Sequence, residues 1–179
     1  MRVRDHLVLG AAGATLVSQW APAAAIGLWA GSVLIDADHY LWFCVRHRRV
    51  SPVAAVRFFH QPHPPQHSGT RVLHSPGGLL ATLALSIARP KMLPVAAGMA
   101  LHVALDAHHE ARMNRAREAA LRRDHASCQG CGASGPGVGT HLLRQPWLLP
   151  DYRPENLISL CPPCHERAHA RAGGAGPWS

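Results

Sequence analysis

Two Cys-x-x-C pairs, Cys128/Cys131 and Cys161/Cys164, bracket residues 132–160 in the last third of the chain. Four thiolates brought together by two such knuckles are the ligands of one tetrahedral zinc. A module this short buries little apolar surface, so the metal itself would supply folding energy. His165 and His169 follow at once and are surplus to that staple. Four positions apart in a helix, they share a face. His141 and Asn156 lie between the two knuckles. A strand histidine opposite two helical imidazoles leaves room for a second divalent metal, and metal-assisted hydrolysis is the chemistry such a set serves.

The first half carries a second candidate set. "DADH" supplies Asp36, Asp38 and His39, "HVALD" supplies His102 and Asp106 one turn apart, and His6 stands near the start. Between them runs "FFHQPHPPQHSGTRVLHSP", with His60, His63, His67 and His74. Polar groups in apolar segments cost free energy unless they pair or work. Mixed carboxylates and imidazoles bind zinc or manganese and leave a water activated for hydrolysis. Taken singly, "DADH" reads as a helix end with solvated acids and the His–Pro stretch as an extended loop. Taken together, these groups sit near the ends of apolar segments and could gather at one face.

The elements that must position these groups differ between the halves. Hydrophobic residues make up 47% of the 179 and charged ones 16%, against about 25% in an ordinary soluble domain. The net charge of +8 rests almost wholly on arginine, since Lys91 is the only lysine. Such a balance suits anionic partners, nucleic acid or phospholipid headgroups. Paired cysteines argue for zinc in a reducing compartment rather than a disulfide framework. Cys44, alone in an apolar run, reads as a small buried side chain.

Apolar periodicity predicts about four helices, over 5–19, 23–45, 76–89 and 92–109. A membrane span needs roughly 20 apolar residues, a length the second segment reaches only by including Asp36, Asp38 and His39. "RVR", "RHRR" and the arginines after 110 would lie on one side, "RPK" at 89–91 on the other. The expectation is a cell-membrane protein with a cytoplasmic C-terminal module. The alternatives are a soluble, cytoplasmic helical bundle and a signal peptide at the start. A basic helical connector, 110–127, leads into two short strands at 140–143 and 156–160. A helix then starts at Pro162 and Pro163, residues a first helical turn tolerates. The expected class is therefore mainly α: an apolar helical part (1–109), the connector, a zinc-stapled ββα-metal module (128–171) and a disordered tail (172–179).

Two resemblances carry these residues further. His6, then Asp36-x-Asp38-His39, then His74-Ser75 after a histidine-rich loop, then His102-x-x-x-Asp106, is similar to the membrane-bound metal-dependent hydrolases, over roughly residues 1–109. That resemblance implies a metal site made of His6, Asp36, Asp38, His39, His74, His102 and Asp106. The order Cys128, Cys131, His141, Asn156, Cys161, Cys164, His165, His169 resembles the four-cysteine form of the HNH endonucleases, over residues 128–169. The likeness implies a structural zinc on the cysteines and His141 as the base that activates water. It implies Asn156 as the residue that fixes the loop to aim His141. His165 and His169 would then hold a catalytic Mg, Mn, Ni or Zn. That family has Asp or His before the base; this chain has Thr140, so water and phosphate would complete the coordination.

The expected function is metal-dependent cleavage of DNA phosphodiesters beside a membrane domain. Alternatives are a membrane-bound hydrolase of a non-nucleic substrate with a non-catalytic zinc module, and a zinc-binding nucleic-acid or protein adaptor. Residues 128–171 carry four arginines, Arg144, Arg153, Arg167 and Arg171, against three acids, Asp151, Glu155 and Glu166. Arg144 and Arg167 are candidate DNA contacts, with further charge drawn from the connector helix.

Overall fold

The computed structural model describes residues 3–59, 71–144, 146 and 148–171. His60, His63, His67 and the tail 172–179 lie outside the described residues. The described chain is mainly helical, and it divides into two compact units, Met1–Asp106 and Ala107–Ser179.

The first unit holds α1 (Val3–Ser18), α2 (Pro22–Leu34), α3 (Ala37–His47), α4 (Pro52–Phe59) and α5 (Pro76–Ala88). It also holds the start of α6 (Leu93–Arg123), which follows a 3-10 turn at Pro90–Met92. The single helix expected over 23–45 is in fact two. Asp36 and Asp38 would point to opposite sides of an unbroken helix, about 200° apart. Here the chain turns at Ile35–Asp36, and both carboxylates reach His74. "DADH" therefore opens α3 rather than closing the helix before it. Nor does His102-x-x-x-Asp106 end a helix at 109: α6 continues through much of the expected connector to Arg123.

Helix α4 was not expected. Two turns are marginal in isolation, and its order comes from Phe58 and Phe59 packing on Trp42 and Phe43 of α3. At α5, Ser75 caps the helix: its Oγ accepts from Gly78 N–H at 3.1 Å, and Pro76 occupies the first turn.

Helices α2 and α6 cross backbone to backbone. A Cβ on Gly31 would lie 2.1 Å from the Val95 carbonyl oxygen, and one on Gly98 would lie 2.1 Å from that of Leu28. No other residue fits there, and this approach brings the Ser32 carbonyl to His102, one turn beyond Gly98. Large apolar side chains instead face outward, among them Trp20, Ile26 and Ile87, which are 79%, 70% and 81% exposed. The interior mixes apolar Ile35, Phe43 and Met99 with the polar Asp5, His6, Ser32, Asp38, Ser86 and His102. No helix among the described residues is long and apolar enough to cross a membrane.

The second unit contains the C-terminal part of α6, an antiparallel hairpin and α7 (Pro162–Arg171). Strands β1 (Gly139–Leu142) and β2 (Leu157–Leu160) pair with His141 opposite Ile158 and Thr140 opposite Ser159. Side chains alternate across the sheet. Leu142 and Leu157 pack on Met113, Ala116 and Ala120 of α6, while Ile158 and Leu160 face Cys128, Cys164 and Ala168. The hairpin thus lies between α6 and α7, with the cysteines and histidines on the α7 side.

Asp124, just past α6, fixes this packing. Its carboxylate accepts from Arg123 at 2.7 and 2.8 Å and from Ser159 N–H in β2 at 3.0 Å. Arg123 also donates to the carbonyls of Pro154 and Leu157. The Arg123 guanidinium, ahead of burial acting the other way, holds the Asp124 carboxyl at about 2. A depressed folded-state pKa adds stability above the unfolded value, about 3.9, and that stability is lost as pH falls through the folded one. Asp124→Asn should lower the unfolding free energy by about 1–3 kcal/mol at pH 7. In denaturant titrations the gap between wild type and variant should close between pH 4 and pH 2; a gap unchanged across that window would refute the assignment.

Candidate metal centres

The four cysteines come together at one end of the hairpin. Cys128 and Cys131 lie in the loop after α6, Cys161 leaves β2 and Cys164 sits in the first turn of α7. Their four sulfurs lie within 4.8 Å of one another. Cys131 and Cys161 are 3.6 Å apart Sγ to Sγ, close to the ~3.8 Å edge of a thiolate tetrahedron at zinc bond lengths. The donor set fits a zinc ion. Main-chain N–H groups, that of Cys161 foremost, hold the Cys128 thiol down to about 6, while, against the Cys164 N–H, burial and the neighbouring sulfurs push that of Cys161 up to about 12. Gly130 N–H donates to the Cys128 sulfur at 3.4 Å. Arg167 was expected at DNA. The residue is exposed, and its guanidinium donates to Cys164 Sγ at 2.9 Å and to the Pro163 carbonyl at 3.3 Å.

Beside the staple, His141 of β1 meets His165 and His169 of α7. Ring centroids are 4.9 Å apart for His141–His165, 4.7 Å for His141–His169 and 4.9 Å for His165–His169. One nitrogen from each ring lies within 4.8 Å of the other two. Burial, then the charges of His165 and His169, lowers the His141 pKa below the usual imidazole value.

Asn156 does not touch this cluster. Its side-chain amide donates to the carbonyls of Arg144 (2.8 Å) and Asp151 (2.9 Å) and accepts from Arg144 N–H (3.0 Å). One buried side chain thereby ties both ends of the loop that follows His141. Arg144 presents its backbone to that clamp, with its side chain exposed.

In the first unit all seven expected residues converge in three overlapping groups: His6, His102 and Asp106; Asp36, His74 and His102; Asp38, His39 and His74. His6 Nε2 is 3.0 Å from Asp106 Oδ1, and the His6 and His102 rings stack at 3.7 Å. His102 donates from Nδ1 to the Ser32 carbonyl at 2.7 Å, so Nε2 carries its lone pair. His74 stands between two carboxylates, Nδ1 at 3.3 Å from Asp38 Oδ2 and Nε2 at 3.4 Å from Asp36 Oδ1, and against the effect of burial those two hydrogen bonds push its pKa up to about 9. His74 Nε2 and His102 Nε2 face each other at 3.2 Å, with Asp36 Oδ1 at 3.4 and 3.6 Å. Without a metal this contact is a hydrogen bond from the His74 N–H to His102 Nε2, and a bound cation would take the place of that proton. Ligands about 2.1 Å from one ion stand roughly 3.0–3.4 Å apart, which is the spacing found.

Asp38 occupies a different position. It accepts from Leu73 N–H at 2.9 Å and pairs with both His39 and His74, so it orients the rings. Sequence reasoning missed Ser32, which acts through a backbone carbonyl that leaves no mark in residue type. It also missed the Tyr152 hydroxyl, bonded to His109, and the Arg123–Asp124 clamp, hidden in what read as a solvated basic stretch.

Compared with protein-family models, curated proteins and solved structures, the chain matches none.

Cys161→Ser should remove one equivalent of tightly held metal from the purified full-length chain and expose the hairpin to protease. Elemental analysis with limited proteolysis reads both. A variant that keeps the hairpin protected without metal would show that the cysteines are not its staple.

Proposed function

We propose that the second unit is an HNH-type, metal-dependent endonuclease that hydrolyses DNA phosphodiesters. The observation that carries this is the meeting of His141 on a hairpin strand with His165 and His169 on the following helix, directly beside four convergent cysteines. A structural zinc on those cysteines would tie β2, α7 and the loop after α6 into one body. A divalent ion on the histidines would supply the positive charge that polarises a phosphate and steadies a leaving oxygen.

The chain's own residues do the rest. Helix α7 presents His165 and His169 on one face. Strand β1 holds His141 against them. Asn156 clamps the loop behind His141, so its orientation does not depend on substrate. For the polyanion, Arg112, Arg115 and Arg122 are exposed and share one flank of α6, away from the Ala116/Ala120 face.

A second reading attaches to the first unit. The facing Nε2 atoms of His74 and His102, with Asp36 between them, favour a separate metal-dependent hydrolase whose substrate is not nucleic acid. Outward apolar side chains over an interior with several buried polar groups suit contact with lipid, and on this reading the protein is held at the cell membrane with its C-terminal module in the cytoplasm. Thirteen residues make α2 and α5 each ~20 Å long, against a hydrocarbon core of ~30 Å. The contact proposed is insertion and not a span by either helix alone.

Full-length protein should nick supercoiled plasmid with Mn, Ni or Zn and lose at least about a hundredfold in rate on His141→Ala, the range a catalytic proton-transfer or metal-site residue covers. No nicking by wild type with any of Mg, Mn, Ni or Zn would leave a zinc-binding adaptor as the better description. For the first unit, His74→Ala and His102→Ala should each remove a metal equivalent while the cysteine-bound ion stays; unchanged metal content in both variants would end the second reading.

A further inference from the structure

We propose that His141 is a metal ligand, so that the divalent ion of the second unit is held by three imidazoles: His141, His165 and His169. This rests on the metal-dependent reading of that unit and changes the role of one residue in it. By resemblance His141 would accept a proton from water, while the position before it would supply a ligand.

The hairpin register rules out that second role. Thr140 pairs with Ser159, so its side chain lies on the sheet face with Leu142 and Leu157, packed toward α6. His141 lies on the opposite face with Ile158, toward α7. No rotamer of residue 140 carries it through the sheet. The coordination that remains is the one the side chains already make. One nitrogen from each of His141, His165 and His169 falls within 4.8 Å of the others. Ring centroids at 4.7–4.9 Å match imidazoles sharing one ion at about 2.1 Å, which stand roughly 5 Å apart.

Three neutral nitrogens also set the choice of metal. Imidazole suits Zn, Co, Ni and Cu, whereas Mg prefers oxygen ligands and keeps its water. With its ring nitrogen on the metal, His141 does not take the proton of the attacking water. Three ligands leave open positions for water and phosphate.

The test is metal binding by the full-length chain, with the cysteine site first filled with zinc. Co(II) is titrated and followed by visible absorption in wild type, His141→Gln, His169→Gln and Thr140→Ala. The first-unit ligands are the same in all four and cancel in the differences. His141→Gln and His169→Gln should both weaken one Co(II) site by at least about 100-fold, beyond the 10–100-fold that outer-shell changes cost. Thr140→Ala should bind as wild type, and Mg should not compete. Wild-type Co(II) affinity in His141→Gln alongside loss in His169→Gln would overturn the proposal, as would loss in Thr140→Ala. Should His141→Gln shed its zinc, wild-type protein with 15N-histidine and 113Cd decides: cadmium coupling to the His141 ring supports the proposal, and coupling to His165 and His169 alone overturns it. Absence of plasmid nicking by wild type would sink the nuclease reading and leave these binding results standing.

Discussion

Lone pairs aimed at one point repel, and a fold that aims them there depends on something positive at the centre. Both compact units of this chain are organised in that way. In the first, the Nε2 atoms of His74 and His102 face each other beside Asp36. In the second, four sulfurs converge at one end of a hairpin and three imidazoles converge next to them. The surrounding architecture keeps these groups from relaxing apart. Two glycines let α2 and α6 touch so that a carbonyl can orient His102, and Asp124 fastens β2 to the end of α6. Polar groups buried this close together are costly unless a proton or a cation is shared among them.

The two units reach this state by opposite routes. The second has a small apolar core on each face of its hairpin, with the four cysteines gathered beside one of them. The first turns large apolar side chains outward and packs helices through glycine and small residues. Close backbone approach substitutes there for interlocking side chains, as it does where the surroundings are themselves apolar.

Much of the chemistry could be read from the chain alone, because it depends on residue type and short spacing. The Cys-x-x-C pairs, the i,i+4 pair His165/His169 and His102-x-x-x-Asp106 carry their geometry with them. What could not be read depends on partners distant in sequence. The break at Asp36 follows from the demand that two carboxylates i,i+2 apart meet one histidine, which periodicity does not reveal. Helix α4 exists because Phe58 and Phe59 find Trp42 and Phe43. The side of the sheet that Thr140 occupies appears only once the register is known.

A metal on the four cysteines would have a consequence for chain continuity. Its ligands come from both sides of the loop that Asn156 clamps, two before it and two after. A metal held by all four is therefore a cross-link in space that bypasses the intervening peptide bonds. A break in the backbone at that loop would leave two fragments still joined by hairpin and ion. The covalent connection and the structural one are separate here, and only the first runs through residues 143–156.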